Sequence, residues 1–338
     1  MSASVLDRPI AAPTAGTRAG RRTIPPGWRL VIAAVLAVVA LVGYLGWNVR
    51  GNVEFALQLR GATAGAMLVA AFAQGVVTVI FHTVTANRIL SPSVMGFDAL
   101  FVLMQTVLVA LFGGQVLAAT EGIPRLVIQT ALMVGFAVAL YRWLFTRSTG
   151  GLYVTLLVGV VLGMAFTTIS TFIERLLHPT AYDLLSLELF GRLTSVKADQ
   201  LPLAFVVCAA VGGLVWARRH VLDGLLLGRE LATSIGINHR RELTVMLALV
   251  AVLVAFSTAL VGPMTFFGFL IATLSYQLAG THRHGHVLPM AFLLGVVGLA
   301  GGQFILQHLF YASGFLTVII EFAGGIVFLA ILIGGRKL

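Results

Sequence analysis

The chain has 338 residues, of which 59% are hydrophobic and only 10% are charged. A soluble globular domain carries about 25% charged residues, so this composition excludes an ordinary water-soluble fold and predicts a membrane protein. A net charge of +10 could indicate a nucleic-acid partner, but the positions of the charges, given below, exclude that interpretation.

The apolar runs define the domain organisation. Residues 1–28 are polar and rich in Arg, Pro, Ala and Gly, which predicts a disordered cytoplasmic tail. The first run after the tail lacks a convincing cleavage site, so it is interpreted as an anchor. A bilayer-spanning helix needs about 20 mostly apolar residues. Such runs occur at 29–48, 61–82, 93–112, 123–144, 152–173, 201–217, 243–261, 264–280, 288–309 and 316–335. We therefore predict an all-α polytopic membrane protein with a transmembrane domain over 29–338.

The basic side chains are unequally divided between the two sides of this bundle. Ten spans put both termini on one side, which receives 16 of the 22 Lys and Arg residues. The other side receives Arg50, Arg60, Arg125, Arg175, Arg192 and Lys197. The positive-inside rule makes the richer side cytoplasmic. The basic balance therefore predicts topology in a cell (inner) membrane, with both termini cytoplasmic, and no nucleic-acid partner.

The region from residue 60 to residue 96 contains the second span and a polar turn. Small residues at 61–66 allow helices to approach closely in lipid, and Gln74 lies inside the span. The polar turn around Asn87 is followed by Pro92, which suits the first turn of a helix. The simplest interpretation is a helix–turn–helix.

One segment on the outer side is too polar to cross the bilayer. Residues 174–200 contain leucines and aromatic residues that predict a short interfacial helix, interrupted at Gly191. Such a helix could gate an outer vestibule or cap the bundle, and the sequence favours neither role.

A second mixed segment, at residues 221–237, lies on the cytoplasmic side. Its apolar residues recur at roughly helical spacing and its charged residues form a polar face. An amphipathic segment of this kind suits the groove of a partner protein. The residues expected to couple to that partner are Leu222, Leu225, Leu226, Gly228, Glu230, Ala232, Ile235 and Gly236. The sequence therefore predicts that another subunit drives this membrane protein.

The chain has no nucleotide site of its own and no predicted cofactor. A phosphate-binding loop ends in Gly-Lys, whereas the only lysines, Lys197 and Lys337, follow Val196 and Arg336. The single cysteine, Cys208, lies inside a span, which excludes disulfides and Cys-rich metal sites. If ATP powers the protein, a separate chain must hydrolyse it.

Two groups of polar residues admit a functional and a structural interpretation. His282, His284 and His286 alternate on an inner loop, but no carboxylate or cysteine completes a zinc site, so no metal site is predicted and a solvated turn is expected. Asp98 and Glu321 are the carboxylates nearest to hydrocarbon, where charged groups are commonly functional. Both lie close to a span end, which favours snorkelling or a hydrogen bond to a neighbouring helix.

Several motifs occur in a fixed order over nearly the whole chain after the tail. The first motif consists of a basic residue, a Gln and a turn with the pattern Asn-Pro-Leu-Ala-x-Pro-x-x-Leu-Gly. Its positions are occupied here by Arg60, Gln74, Asn87, Pro92 and Gly96. Arg88 replaces the first Pro of that turn. Residues 232–237 (ATSIGI), residues 262–270 (GPMTFFGFL) and the last span from Thr317 match further motifs. In this order they resemble the FecCD-type permease family, the membrane subunits of binding-protein-dependent ABC importers for ferric siderophores, haem and cobalamin.

The resemblance implies a type II ABC importer permease fold and a set of partners. These are two cytoplasmic ATPases, an extracytoplasmic siderophore-binding protein and a second permease, identical or paralogous. Residues 221–237 would then couple to the ATPases. Arg60, with Arg50 as a weaker candidate, would meet carboxylates of the binding protein, snorkelling at a helix end being the alternative. The translocation path or its packing would involve Gln74, Asn87, Pro92, Gly96, Gly262, Pro263 and Gly268.

The expected cargo depends on one departure from the family pattern. Most members follow the Gly-Pro motif with Pro-His and an Arg, whereas this chain has ATLSYQLAGTHRHGH at 272–286. That variant resembles the subgroup that imports ferric catecholate or mixed-ligand siderophores, so a ferric siderophore is expected and the chain itself is expected to catalyse no reaction. Cobalamin or haem is the first alternative. An ion-coupled secondary transporter is the second, and it would need ionisable residues deep in several spans.

Overall fold

The computed structural model of the chain describes residues 24–48, 52–113, 122–147, 151–189, 193–310 and 316–333, and the regular structure within these ranges is helical. The helices are α1 Pro26–Gly46, α2 Val53–Thr85, α3 Phe97–Phe112, α4 Ile123–Arg147, α5 Gly151–Glu174, α6 Pro179–Leu189, α7 Leu201–Ala217, α8 Arg219–Leu225, α9 Arg229–Ser234, α10 His239–Val261, α11 Phe267–Ala279, α12 His284–Val296, α13 Gly302–His308 and α14 Leu316–Ile333. Short 3₁₀ turns lie at Pro92–Met95, Leu193–Ser195 and Ala198–Gln200, and a π turn at Val297–Gly301 joins α12 to α13.

The predicted number of membrane crossings is confirmed within the described ranges. Six helical segments are long and apolar enough to cross a bilayer, and four shorter apolar helices bring the total to ten. The predicted span 201–217 coincides with α7, while α2 begins at Val53 and not at residue 61. Of the predicted tail, residues 1–23 lie outside the described part of the chain. An even number of crossings places both termini on the same side, and the charge bias makes that side cytoplasmic.

Helix α2 is the central helix of the bundle. It has 33 residues, or about 50 Å at 1.5 Å per residue. Of the 18 residues in its apolar stretch, 89% are buried. Helices α10, α11 and α12 pack along it. A Cβ added to Gly75 would lie 3.0 Å from the carbonyl oxygen of Ala291, and one added to Gly295 would lie 2.9 Å from the Cβ of Ala71. Small residues thus let α2 and α12 approach closely, as membrane helices require.

Two crossings are interrupted inside the bundle. Helices α3 and α11 have 16 and 13 residues, or about 24 and 20 Å, which is less than the hydrocarbon thickness of about 30 Å. Gly268, at the start of α11, packs against Gln74 and Thr78 of α2. Both Gln74 and Thr78 lie inside the apolar span 61–82 of α2. The loop 262–266 that leads into α11 therefore lies within the depth of the membrane.

The predicted outer helix is found as α6. Its Leu185 is fully buried and packs with Val109 near the outer end of α3. Tyr182 and Leu187 on the same helix are exposed. The predicted interruption at Gly191 lies outside the described residues. Helix α6 therefore covers the outer end of α3.

Candidate functional site

An open groove of about 1070 Å³ lies between α3 with the turn before it, α5 and the loop 262–266. Its lining combines apolar side chains with hydroxyl groups, one carboxylate and one guanidinium. The polar members are Ser93, Asp98, Thr167, Thr168, Thr171, Arg175 and Thr265. The groove can therefore contact a large solute mainly through hydroxyl and apolar groups.

Gly96 fixes the distance between the two walls of this groove. Its φ is +89°, a conformation that glycine adopts readily. A Cβ at this position would lie 3.1 Å from the Cα of Gly163 and 3.2 Å from the carbonyl oxygen of Gly159. Gly159 and Gly163 form a small-xxx-small pair on α5, which permits close backbone packing in lipid. Both the dihedral angle and the contact thus require glycine at position 96.

The break before α11 is held by two carboxylates from other helices. Asp98 of α3 accepts hydrogen bonds from the hydroxyls of Thr265, at 2.9 Å, and Thr258, at 3.4 Å. Glu321 of α14 accepts from the backbone N–H of Phe266, at 3.2 and 3.3 Å to its two oxygens. Non-helical backbone at membrane depth is tolerated only when its polar groups find partners in the protein. The expected hydrogen bonds from Asp98 and Glu321 to neighbouring helices are confirmed.

Besides Gly96, four of the predicted path residues lie at these interruptions. Gly262, with φ +95°, ends α10, and Pro263 lines the groove. Pro92 begins the first 3₁₀ turn, as the sequence predicts, and the Ser91 hydroxyl accepts from the backbone N–H of Ser93. Gly268 does not line the groove, because it faces α2, where a Cβ would collide with the Thr78 hydroxyl.

Two other predicted residues lie away from the groove. Gln74 is buried, and its side-chain amide donates to the hydroxyl of Ser257 on α10 at 3.4 Å. Asn87 is exposed, and its side-chain oxygen accepts from the backbone N–H of Ile89 at 2.9 Å. Gln74 therefore joins α2 to α10, while Asn87 shapes the turn that follows α2.

The cytoplasmic segment 221–237 folds as a helical hairpin and not as one coupling helix. Helices α8 and α9 meet at Gly228, whose φ of +85° and ψ of 171° are accessible essentially to glycine alone. A second glycine with positive φ, Gly236, follows α9. An ion pair between Arg218 and Glu242 ties the base of the hairpin to α10. We call residues 219–237 the coupling hairpin.

The hairpin divides its apolar residues between two sides, which corrects the predicted partner surface. Leu222, Leu225 and Ala232 are at most 5% exposed, so they belong to the interior of the chain and cannot form that surface. The outward side instead carries four apolar residues that are 45%, 54%, 58% and 60% exposed, namely Leu226, Leu227, Leu231 and Ile235. Glu230 is exposed in the first turn of α9. Helical spacing does not predict Leu227 and Leu231 as exposed, because the chain turns at Gly228 and the spacing does not continue across it.

Arg60 has a structural role that the sequence did not reveal. One guanidinium nitrogen donates to the backbone carbonyls of Tyr44, Leu45 and Trp47, at 3.2, 3.2 and 2.9 Å. These carbonyls lie at the C-terminal end of α1, where a cation is favourable. Arg60 thus caps α1 from α2. The second candidate, Arg50, lies outside the described residues.

The expectation of a solvated histidine turn is wrong for His284. This side chain is 1% exposed and pairs with Asp223 of the coupling hairpin. His282 is exposed and His286 is half-buried. No local pattern predicts the pair, because 61 residues separate its members.

Comparisons with known proteins agree with this architecture. The model of the FecCD transport family matches residues 29–334. The chain belongs to the FecCD transport family. A FecCD relative, the petrobactin import system permease protein FatC of Bacillus anthracis, is 39% identical over 273 residues, covering 81% of this chain and 77% of the relative. The petrobactin import system permease protein YclO of Bacillus subtilis is 33% identical over 309 residues, covering 91% and 98%.

More distant relatives extend the comparison to the fold. The ferric enterobactin transport system permease protein FepD of Escherichia coli is 27% identical over 261 residues, covering 76% of this chain and 75% of the relative. The solved structure of a metal-chelate type ABC transporter in an inward-facing conformation is 17% identical, with a TM-score of 0.78, covering 92% of this chain and 100% of that chain. The FecCD chain described here therefore has a permease fold and is a multi-pass membrane protein.

Proposed function

We propose that the chain is the permease subunit of an ATP-driven importer that moves ferric siderophores into the cytoplasm. Membership of the FecCD family supports the transport function. The cargo is supported by the names of the relatives, two of which are petrobactin permeases and one a ferric enterobactin permease. A groove with several hydroxyl groups suits a large chelate that arrives with its iron already wrapped. Cobalamin and haem are the alternative cargoes.

The observation that carries the ATP-driven mechanism is the outward side of the coupling hairpin. Its four exposed apolar residues lie within ten residues of one another along the chain, while Leu222, Leu225 and Ala232 of the same hairpin are buried. An exposed apolar patch on a short helical element is typical of a protein interface. Because the sequence contains no phosphate-binding loop, the partner proposed for this patch is a separate ABC ATPase subunit.

A second permease completes the proposed translocation path. The groove is open along α5, which presents Val161, Met164 and Phe172 at 58%, 67% and 64% exposure. Packing this side against a second permease, identical or paralogous, would close the groove into a path. The extracytoplasmic siderophore-binding protein is proposed to dock on the outer side, near Arg60 and Arg50, since Arg suits directed ion pairs with carboxylates.

In this mechanism the ATPases act on the path only through the coupling hairpin. When the two ATPases bind ATP and close, they displace the hairpin. When they hydrolyse ATP and open, the hairpin moves back. ATP can change the populations of outward- and inward-facing states only through contacts that differ between them. Asp98 and Glu321 hold the interruption before α11. Their use as clamps favours this mechanism over an ion-coupled secondary transporter.

The ATPase partner is tested by reversing the character of the patch. Leu231→Asp combined with Ile235→Asp should abolish co-purification of the ATPase and siderophore uptake, while the thermal unfolding temperature of the permease stays unchanged. Leu187→Asp, at an exposed position of the outer helix α6, is the matched control. An ATPase that remains bound to the double variant, with uptake intact, would show that the hairpin is not the coupling surface.

The cargo is tested by uptake in cells that lack this chain. Labelled ferric catecholate siderophore should enter only when the chain is restored, and excess unlabelled haem or cobalamin should not compete. Depleting ATP should stop uptake, whereas collapsing the proton gradient at a constant ATP concentration should leave the rate of uptake unchanged. Uptake that follows the proton gradient without ATP would instead establish the secondary transporter.

A further inference from the structure

A continuous set of hydrogen bonds joins the coupling hairpin to two helices of the bundle. One oxygen of Asp223, on α8, accepts from the backbone N–H of His284 at 2.8 Å and from its ring Nδ1 at 2.7 Å. The other ring nitrogen of His284 lies 2.7 Å from the hydroxyl of Thr83 on α2. His284 is 1% exposed, so water competes little for these bonds. The connection passes from α8 through α12 to α2.

The first of these bonds acts as a helix cap supplied by another element. His284 is the first residue of α12, and the preceding residue, Arg283, makes no side-chain capping bond. The first N–H groups of a helix have no partner within it, and the positive end of its dipole attracts a carboxylate. Asp223 satisfies both requirements from the hairpin. A displacement of α8 therefore has a direct mechanical link to the start of α12.

The second bond continues the link into the central helix. Thr83 lies in the last turn of α2, and its hydroxyl also lies 2.9 Å from the carbonyl oxygen of Val79. Farther from the cytoplasmic side, the backbones of α2 and α12 also approach closely, at Gly75 and Ala291. The two helices are thus joined both at their cytoplasmic ends and at mid-membrane. Motion delivered at His284 reaches both of them together.

We propose that Asp223 and His284 are positioning residues that transmit the displacement of the coupling hairpin to α12 and α2. This inference rests on the proposed function, because it needs an ATPase to move the hairpin. The Arg218–Glu242 ion pair ties the hairpin to α10 instead. The Asp223–His284 pair is therefore a hydrogen-bonded link from the hairpin to the α2–α12 unit, in addition to the packing of α8 against both helices.

The test uses the assembled transporter with its ATPase, reconstituted in vesicles. Asp223→Ala and His284→Gln should keep the ATPase bound and hydrolysing, but should lower the siderophore transported per ATP by roughly tenfold, since a charge-assisted hydrogen bond is lost. The double variant should be no worse than Asp223→Ala alone, because that substitution already removes both bonds between the hairpin and His284. Asp183→Asn and His178→Gln, exposed on the outer side, are the controls and should leave the ratio unchanged.

The outcomes separate this inference from the proposed function. If the unsubstituted chain binds no ATPase, the proposed function fails and the inference fails with it. If the ATPase binds and the variants transport normally per ATP, only the inference is wrong. Multiplicative losses in the double variant would also overturn it. If Asp223→Ala does not assemble, the isosteric Asp223→Asn is used, and it should lower the ratio in the same direction.

Discussion

The interruption at 262–266 and the coupling hairpin at 219–237 are built from similar parts but differ in what they leave exposed. Each contains a glycine with positive φ, Gly262 in one and Gly228 in the other. In the interruption, side chains from other helices bind backbone groups that have no partner within a helix, as Glu321 binds the N–H of Phe266. In the hairpin, one side is buried and the other presents four apolar residues. A glycine-marked break thus indicates a partner surface only where apolar side chains remain outside.

The largest effect of an added side chain on folding is expected at the start of α11. Gly268→Val would place a Cβ against the Thr78 hydroxyl and 3.0 Å from the backbone oxygen of Gln74. Because that backbone belongs to the central helix and cannot yield, the free energy of unfolding should fall by about 3 kcal/mol. Thermal unfolding in detergent measures this. Gly213→Val, where a Cβ meets open space, is the control, and equal loss in both variants would contradict close packing at Gly268.

The next effect concerns the carboxylate clamp. Asp98→Ala leaves the hydroxyls of Thr265 and Thr258 without their acceptor. A buried polar group left without its hydrogen-bond partner costs about 1–3 kcal/mol, so a loss in that range is expected. The thermal unfolding temperature and the rate of siderophore uptake should both fall. Asp183→Ala, exposed on α6, should change neither, and an unaffected Asp98→Ala variant would show that the break does not need its clamp.

A smaller effect on folding is expected in the hairpin. Gly228→Ala introduces a Cβ that meets no neighbour, but the φ of +85° strains any L-residue. The cost should be about 1–2 kcal/mol and confined to the hairpin. ATPase co-purification should weaken more than thermal stability. Gly213→Ala, in an ordinary helix, controls for the added methyl group, and full ATPase binding by Gly228→Ala would show that the turn geometry is unimportant.

The smallest effect on folding is expected on the outward side of the hairpin. Leu227 is 54% exposed and Leu222 is fully buried in the same element. Leu227→Ser should change the free energy of unfolding by less than about 0.5 kcal/mol and still weaken ATPase binding. Leu222→Ser should cost about 2–4 kcal/mol, as loss of a buried leucine does. Similar thermal stabilities for the two variants would erase the distinction between the two sides.

Much of this arrangement could be predicted from local patterns. Hydropathy located the ten crossings because every backbone polar group in lipid must be bonded within a helix. Mixed polar and apolar composition located the hairpin. The depth of the interruption at 262–266 could not be predicted, since it depends on the register of Gly268 against α2. For the same reason, the bonds from Arg60 to the end of α1 could not be predicted.

The sequence alone determined the membrane class and the number and direction of the crossings, and it predicted a separate energy source. These properties follow from hydropathy, charge distribution and the absence of a phosphate-binding motif, each of which is local in the chain. The tertiary structure decided which leucines of the hairpin are exposed and which residue pairs with Asp223. Those outcomes depend on contacts between helices far apart in sequence, such as α8 and α12, which no local pattern encodes.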